Sequence, residues 1–161
     1  MSISPRDPYQ KAQKTALSLL ARRRHSRDEV RRKLSARGFE PAVTERVLAE
    51  CERLGYINDE VTASFFVEEL VRKQVGLNRI RGEMADRGFA PDLIHRMIDE
   101  HLLEERELEI ARRAMEKRAA SIRENDHWKR REKLVRFLRS RGFRPSTISA
   151  LFDRFGPCDD S

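Results

Sequence analysis

Histidine and cysteine are the side chains in this sequence that could bind a transition metal or transfer protons near neutral pH. The histidines are His25, His95, His101 and His127. The two nearest to each other are six positions apart, whereas two metal ligands on one helical face are four apart. Cys51 and Cys158 have no cysteine or histidine companion at metal-ligand spacing. The sequence therefore predicts no metal site and no cofactor, and we expect reduced, structural thiols.

A run of acids near residue 100 is the second group that could do chemistry, because clustered carboxylates can hold two divalent ions. These acids fall where one predicted helix ends and the next begins, so we interpret them as a helix junction that exposes acids to solvent. Phosphate-binding loops, dinucleotide-binding glycine patterns and nucleophile elbows are absent. We therefore expect no enzymatic activity. The acids are Asp99, Glu100, Glu104, Glu105, Glu107 and Glu109.

Basic side chains are the remaining candidates for function. The chain has 34 Lys and Arg against 27 Asp and Glu, and this net charge of +7 favours a polyanionic partner. On a helical wheel, Lys129, Arg136 and Arg139 lie nearly opposite the apolar positions. A solvated face remains the alternative for any single residue. The candidates for contact with a partner or with DNA are Arg22, Arg23, Arg24, Arg31, Arg32, Lys33, Lys129, Arg130, Arg131, Lys133, Arg136 and Arg139.

Trp128 lies between His127 and Lys129, and an aromatic ring beside cations can stack on a base of single-stranded nucleic acid. Its helical direction is close to that of Val135, on the apolar side. We therefore expect Trp128 to extend the apolar face and to be buried.

The motif Arg-Gly-Phe-x-Pro occurs three times, beginning at Arg37, Arg87 and Arg141. Its glycine suits the left-handed conformation just after a helix, and its phenylalanine falls where a Schellman motif places an apolar contact. Its proline suits the first position of the next helix. Its arginine is expected near the C-terminal end of its own helix, where a cation is favourable. The structural marks are Gly38, Phe39, Pro41, Gly88, Phe89, Pro91, Gly142, Phe143 and Pro145.

Each copy of the motif joins two segments with helical apolar spacing, and a third such segment precedes each pair. Ser26 and Glu29 have the spacing of a capping box, which predicts a helix start at Ser26. We predict an all-α fold of three tandem three-helix repeats in an elongated array, straight or curved, with no sheet. The predicted repeats are residues 1–57, 58–103 and 104–156, followed by a C-terminal tail at 157–161.

Charge is distributed unevenly along these repeats. Residues 1–57 hold 13 basic and 7 acidic side chains, residues 58–103 hold 6 and 9, and residues 104–161 hold 15 and 11. A uniform DNA groove would be positive throughout. Basic ends around an acidic middle better suit a protein surface that carries both signs, with nucleic acid contacted at an end.

The combined pattern resembles the RecX family, bacterial regulators of the recombinase RecA. The resemblance is carried by Leu19-Leu20, by the Ser-x-x-Glu start, by Leu-x-x-Arg-Gly-Phe, by Leu54-Gly55-Tyr56 and by Gly76 followed by Ile80. It covers residues 10–103 well and the third repeat more loosely. It implies a protein that binds the RecA filament on single-stranded DNA in its helical groove, and that restrains filament extension, ATPase, strand exchange and co-protease activity.

Two other functions stay open from the residues alone. One is a DNA-binding protein with helix-turn-helix-like units, although the helices after the turns are poor in basic residues. The other is an adaptor that binds only protein. The N-terminal segment MSISPRDPYQKAQK lacks the apolar core of a secretory signal, so we expect a cytoplasmic protein without membrane contact. We also expect a monomer, with at most weak direct binding to DNA.

Overall fold

The computed structural model describes residues 7–102 and 104–156. Within them the chain forms nine α-helices and no strand, which confirms the all-α prediction. The predicted tail at 157–161, with Cys158, lies outside the described residues. The helices are α1 (Pro8–Arg22), α2 (Arg27–Ser35), α3 (Pro41–Arg53), α4 (Asp59–Arg72), α5 (Leu77–Asp86), α6 (Pro91–His101), α7 (Glu104–Ala119), α8 (His127–Ser140) and α9 (Pro145–Phe155).

Local sequence sets where these helices begin. The Ser26 hydroxyl accepts a hydrogen bond from the Glu29 N–H, and the Glu29 carboxylate accepts one from the Ser26 N–H, both at 3.0 Å. The capping box predicted for α2 is therefore confirmed. Asn58 caps α4 by accepting from the Val61 N–H. Proline is the first residue of α3, α6 and α9, where its missing N–H leaves no helical hydrogen bond unmade.

The three Arg-Gly-Phe turns end α2, α5 and α8 in the same way. Their glycines, Gly38, Gly88 and Gly142, have φ angles of +81°, +76° and +86°. In each turn the phenylalanine N–H donates to the carbonyl five residues earlier and the glycine N–H to the carbonyl three residues earlier, at 2.8 to 3.3 Å. These are the two hydrogen bonds of a Schellman motif, and they explain why glycine is needed at this point.

The helices pack in three groups of three, α1 to α3, α4 to α6 and α7 to α9, and we refer to these groups as the first, second and third units. The first unit has its own core, which includes Ala16, Val30, Leu34 and Leu48. The second and third units share one continuous core, which includes Leu70, Met84, Met115, Leu138 and Leu151. The tandem three-helix repeat is thus confirmed, and buried apolar side chains join the last two units to each other.

The first unit meets the second where α2 begins and α5 ends. The Ser26 hydroxyl donates to the carbonyl oxygen of Arg87, and the Arg27 N–H donates to the Asp59 carboxylate at 2.8 Å. Gly88 lies so close to Asp28 that a Cβ at position 88 would overlap the Asp28 side chain. The second Arg-Gly-Phe turn, at the end of α5, therefore contacts the start of α2 in the first unit.

The second unit meets the third through the same parts. The Gly76 N–H donates to the Arg141 carbonyl at 2.8 Å, and the Asn78 N–H donates to the Gly142 carbonyl at 3.0 Å. The Leu77 N–H donates to a carboxylate of α7 at 3.2 Å, as the first N–H of α2 does to Asp59. The turn that ends α8 thus contacts the start of α5, and the turn that ends α5 contacts the start of α2. In this order the negative end of each helix dipole meets the positive end of the next, which is favourable. We call this arrangement the helix column.

Candidate partner-binding surface

Arg22, Arg23 and Arg24, at and just after the end of α1, have different surroundings. Arg23 donates to the buried carboxylate of Glu29 at 2.8 Å. Burial opposes ionisation of Glu29, but the hydrogen bonds from Arg23 and from the Ser26 N–H lower its pKa below the usual value. The guanidinium of Arg24 lies 4.3 Å from the centre of the Phe65 ring. Arg22 is exposed and has neither kind of contact among the described residues, so it is the arginine most available to a partner.

The basic run on α2 is mostly used within the protein. Arg31 and Arg32 both pair with Asp28, and the Arg32 pair has a distance of 2.8 Å. Arg32 also donates to the Asp86 carbonyl at 2.8 Å, across the boundary between the first two units. Lys33 has no ion-pair partner within residues 7–102 and 104–156. The run therefore offers a partner one unpaired lysine and two arginines that are already shared with Asp28.

Three of the basic residues on α8 hold the third unit together. Arg130 donates to the Ala119 carbonyl at 3.3 Å, at the end of α7. The Arg131 guanidinium lies 4.9 Å from the centre of the Phe152 ring, and Lys133 pairs with Glu124 at 2.9 Å. These contacts come from other helices and loops, so the spacing within the basic run could not indicate them.

Lys129, Arg136 and Arg139 form the exposed side of α8, and we call them the α8 basic face. Arg136 pairs with Glu132 at 2.7 Å, but both side chains are mostly exposed. Such a pair on a helix surface stabilises by only about 0.3–0.5 kcal/mol, so a partner can displace it. Lys129 lies 4.0 Å from Asp126, and Arg139 has no described ion-pair partner. The α8 basic face therefore offers a partner three exposed cations.

A groove on the first unit was missed by the sequence reasoning. Lys14, Arg22 and Arg37 line a groove of about 250 Å³ together with Thr15 and Ser18. Two hydroxyls among three cations could bind a phosphate or a carboxylate. The available signal was helical spacing, because Lys14, Ser18 and Arg22 are four positions apart along α1. We call this the first-unit groove.

The arginines of the three motifs differ more than predicted. Arg37 donates to the Lys33 carbonyl at 3.1 Å, near the end of its own helix as expected. The guanidinium of Arg87 instead lies 3.7 Å from the centre of the Phe66 ring. Arg141 donates to the Gln74 carbonyl at 3.3 Å, at the end of a helix in the preceding unit. The prediction is thus wrong for Arg87, whose side chain contacts α4 of its own unit, and for Arg141, whose side chain contacts the preceding unit.

Trp128 is 74% exposed, so the prediction that it extends the core is wrong. The buried residues of α8 are Leu134 and Leu138, and Trp128 lies more than a turn before the first of them. Its direction on the helical wheel is close to the apolar side, but at this end of α8 that direction leads to solvent. Its described aromatic contact is an edge contact with His127, with ring centres 6.0 Å apart.

The acids near residue 100 do not all face solvent, which corrects the prediction of an exposed junction. Glu107 is 1% exposed and lies on the inner side of α7. It accepts hydrogen bonds from Arg144 at 2.6 Å, from the Thr147 hydroxyl at 2.8 Å and from the Leu77 N–H at 3.2 Å. A buried carboxylate with this many donors is a structural link between the second and third units.

The other described acids of the cluster, Asp99, Glu100 and Glu109, lie near the surface. Glu109 accepts from Arg112 and Arg113, and these hydrogen bonds lower its pKa to about 2. The side chains of Glu104 and Glu105 lie outside the described residues. Within the described part of the chain, no three His, Cys, Asp or Glu side chains are placed to hold a metal ion.

His101 joins two polar side chains that the sequence separates widely. Its Nδ1 is 2.7 Å from Glu68 Oε1, and its Nε2 is 3.2 Å from Ser64 Oγ. This order of groups is that of a serine nucleophile and its base. Ser64 lies inside α4, however, where the neighbouring N–H groups make helical hydrogen bonds and cannot stabilise an oxyanion. Because Arg106 also donates to Glu68 at 3.3 Å, the cluster serves to tie α4, α6 and α7 together.

Cys51 is buried in the core of the first unit, and burial raises the pKa of its thiol. A thiol in that state is a weak nucleophile, consistent with a structural role. No helix among residues 7–102 and 104–156 has the length and apolar character to cross a membrane.

Comparison with known proteins identifies the RecX family. The model of the first three-helix domain of RecX matches residues 12–51, and the model of its third three-helix domain matches residues 104–152. A regulatory protein RecX from Legionella pneumophila (strain Corby) is 34% identical over 143 residues, which cover 88% of this chain and 93% of that protein. A regulatory protein RecX from Thermus thermophilus is 34% identical over 128 residues, which cover 80% of each chain.

Solved structures agree on the fold. The crystal structure of RecX from Lactobacillus salivarius superposes with a TM-score of 0.81 at 19% identity and covers 92% of this chain and 96% of its own. A second crystal structure of a regulatory protein RecX superposes with a TM-score of 0.78 at 20% identity and covers 91% of this chain and 72% of its own. From the family models and the sequence identity to its relatives, the chain belongs to the RecX family of regulatory proteins.

Proposed function

We propose that this protein binds the RecA filament on single-stranded DNA, in the helical groove, and restrains filament extension, ATPase, strand exchange and co-protease activity. It acts by binding, without catalysis, and in the cytoplasm. The observation that carries the proposal is the pair of exposed basic surfaces, the first-unit groove and the α8 basic face, on the two outer units. We further propose unit boundaries after residues 57 and 103.

The distribution of charge supports a partner that carries both signs. The middle unit has three more acids than bases, while both outer units are basic. A surface of alternating sign complements a protein–nucleic acid assembly better than it complements bare DNA, on which each neutralised phosphate contributes through counterion release. Because hydrogen bonds at both junctions link the units, the spacing between the two basic surfaces is set by the fold.

The helix-turn-helix alternative gains no support from the arrangement of charges. In that mode the helix after the turn enters the major groove and carries basic or amide side chains. On α3, the helix after the first turn, Arg53 pairs with Glu50 at 2.7 Å and Arg46 lies over the ring of Tyr9. The α8 basic face lies instead on the helix before the third turn, and the first-unit groove is lined by α1 and by Arg37 of the first turn.

The central test compares two ligands for the same labelled protein. Binding to RecA filaments on single-stranded DNA is measured beside binding to the same DNA alone, at roughly 150 mM salt where non-specific attraction is weak. Tighter binding to the filament, with loss of DNA-dependent ATPase and strand exchange at stoichiometric excess, is expected. Equal affinity for both ligands, or unchanged ATPase and strand exchange, would contradict the proposal.

A matched pair of charge reversals tests the α8 basic face. We expect Arg136→Glu with Arg139→Glu to weaken filament binding by about tenfold or more, since like charges would then face the acidic side of the partner. The control is Arg72→Glu with Arg81→Glu on the middle unit, where both arginines are exposed and have no described ion pair. Each pair of reversals changes the net charge by −4, from +7 to +3.

The control separates a local contact from general electrostatics. If both double variants lose the same affinity, net charge alone governs binding and the α8 basic face is not the contact. If the control alone loses affinity, the middle unit makes the contact. Helicity measured by circular dichroism should remain unchanged in both, because all four side chains are exposed.

A further inference from the structure

The fold places a groove at the same position in the first and second units. Positions 50 apart correspond in these units, as Arg37 and Arg87 do. A groove of about 290 Å³ on the second unit is lined by Ser64, Phe65, Glu68 and Arg72. These residues correspond, in the same order, to Lys14, Thr15, Ser18 and Arg22 of the first-unit groove. The repeat therefore sets where the groove lies, and the side chains decide what it can bind.

The two grooves differ in charge. The second-unit groove contains the carboxylate of Glu68, which accepts hydrogen bonds from Arg106 and contacts His101. The first-unit groove has the hydroxyl of Ser18 at that position, and it has Lys14 where the second unit has a serine. The groove of the first unit is thus lined by cations and hydroxyls, without an acid.

The cations of the first-unit groove are not neutralised by the protein. The helix α1 contains three basic residues and no acid. Asp7 caps α1, and the exposed Glu40 does not line the groove. Among residues 7–102 and 104–156, none of the three groove cations has an ion-pair partner. The other acids of the first unit all pair with arginines outside the groove, and they are Asp28, Glu29, Glu45, Glu50 and Glu52.

These cations form a row along α1. At 100° per residue, Lys11, Lys14, Ser18 and Arg22 fall within a sector of about 80° on the helix surface. All four are exposed, and the row from the first to the last is about 16 Å long at 1.5 Å per residue. Arg37, at the turn after α2, lies on the same groove. A linear arrangement of cations suits a ligand whose negative charges are repeated along a chain.

The groove favours phosphates over the carboxylates of a protein partner. The Thr15 hydroxyl donates to the Lys11 carbonyl at 2.8 Å, whereas the Ser18 hydroxyl makes no described hydrogen bond and can donate to a phosphate oxygen. A protein partner usually binds around an aromatic or large apolar anchor. The apolar residue that lines this groove, Leu19, is only 8% exposed, so it offers no such anchor.

We propose that the first-unit groove binds the sugar-phosphate backbone of single-stranded DNA. Lys14, Arg22 and Arg37 neutralise phosphates, and the Ser18 hydroxyl donates to a phosphate oxygen. The inference deepens the proposed function, on which it rests, because the strand is then the one inside the filament. The α8 basic face has acids beside its cations, Asp126 and Glu132, and is left for the protein part of the filament.

The experiment measures binding of labelled oligothymidylate to the protein alone by fluorescence anisotropy, from roughly 20 to 150 mM salt. Lys14→Gln with Arg22→Gln removes two groove cations. We expect the affinity at roughly 50 mM salt to fall by about tenfold or more. The slope of log affinity against log salt should become less steep by about 1.4, since each phosphate contact on a single strand contributes about 0.7.

Two further variants separate a local contact from net charge. Arg72→Gln with Arg81→Gln changes the net charge by the same −2 on the middle unit and should leave the salt slope unchanged. Ser18→Glu introduces the residue that the second unit carries at the corresponding position, on an exposed side of α1, so the variant should fold. It changes the net charge by only −1, yet it should weaken binding more than the control does, because the new carboxylate faces the phosphates.

Three results would overturn the inference. In the first, the wild-type protein does not bind oligothymidylate at roughly 50 mM salt. In the second, the groove variant and the control lose the same affinity and keep the same salt slope. In the third, polyglutamate displaces the labelled strand as well as unlabelled oligothymidylate does, which would assign the groove to an acidic protein surface. Because no RecA is present, these outcomes do not test filament binding, and a failed filament assay with normal oligothymidylate binding leaves the groove assignment intact.

Discussion

Two glycines, Gly76 just before α5 and Gly82 within it, should respond oppositely to alanine because only Gly76 lies against the third unit. Gly76 has φ of −82° and ψ of 167°, which any residue adopts, so replacement causes no backbone strain. A Cβ there would overlap the backbone N of Phe143 and the carbonyl of Gly142 in the third unit. Gly82 lies on the exposed side of the same helix, and a Cβ there would contact nothing. The same substitution, six positions apart, thus tests the junction against the helix alone.

The expected magnitudes follow from these surroundings. Gly82→Ala should stabilise the protein by about 0.5–1 kcal/mol, because alanine loses less conformational freedom in a helix. Gly76→Ala should destabilise it by about 1–3 kcal/mol, since the obstacles are backbone atoms and one unit must shift. The loss of the better N-cap residue adds about 0.5–1 kcal/mol. The two variants should therefore differ by roughly 2–5 kcal/mol, with opposite signs relative to the wild type.

The assay is urea unfolding followed by circular dichroism, together with amide hydrogen exchange. The N–H groups of residues 76 and 78 donate to Arg141 and Gly142 across the junction. They should exchange faster in Gly76→Ala and remain protected in Gly82→Ala, because only the first change separates the units. If Gly76→Ala is as stable as the wild type and both amides stay protected, the third turn does not dock on α5 and the helix column is wrong.

The remaining predictions concern buried ionisable groups. Glu107→Gln should destabilise the protein by about 2–3 kcal/mol in urea unfolding, because it leaves the partly buried Arg144 without its charged partner; an unchanged midpoint would contradict the assigned link. Burial lowers the pKa of His25, so the unfolded chain binds a proton more readily than the folded one. The free energy of unfolding should thus fall as the pH drops below about 6.5, and His25→Gln should show a shallower loss; equal slopes from pH 7.5 to 5.5 would exclude His25 as the cause.

The helices and their turns could be predicted because the interactions that end a helix are local. The Schellman hydrogen bonds join residues three and five apart, and the capping box of α2 joins residues three apart, so the spacing of Gly38, Ser26 and Glu29 contains the information. The apolar registers before each glycine, such as Val30 and Leu34, fixed which helix faces are buried. Neither the helix ends nor the buried faces depend on how one unit contacts the next.

The contacts between units could not be predicted from the same patterns. The partner of Ser26 is the carbonyl of Arg87, 61 residues later, and a backbone carbonyl leaves no mark in a sequence. The positive φ of the turn already explains the glycines of the motif. The sequence therefore does not indicate that Gly88 and Gly142 also lie in close contact with another unit. The prediction that Trp128 is buried is wrong for a related reason. Helical periodicity gives the direction of a side chain, but it does not show whether another helix lies beside that part of α8.

Glu107 shows how the same limitation affects charged residues. In the sequence it is one of several acids around a helix boundary, and nothing in its neighbours distinguishes it from Glu109, which pairs with Arg112 and Arg113 of its own helix. Its burial depends on Arg144 and Thr147, 37 and 40 residues later, on either side of a proline whose position predicts only a helix start. Since Arg144 occupies the variable position of the third motif, where Glu40 and Ala90 occupy the first and second, this carboxylate can be fully paired in the third unit alone. The variable residue of an otherwise repeated motif therefore marks where one unit makes a contact that the others do not.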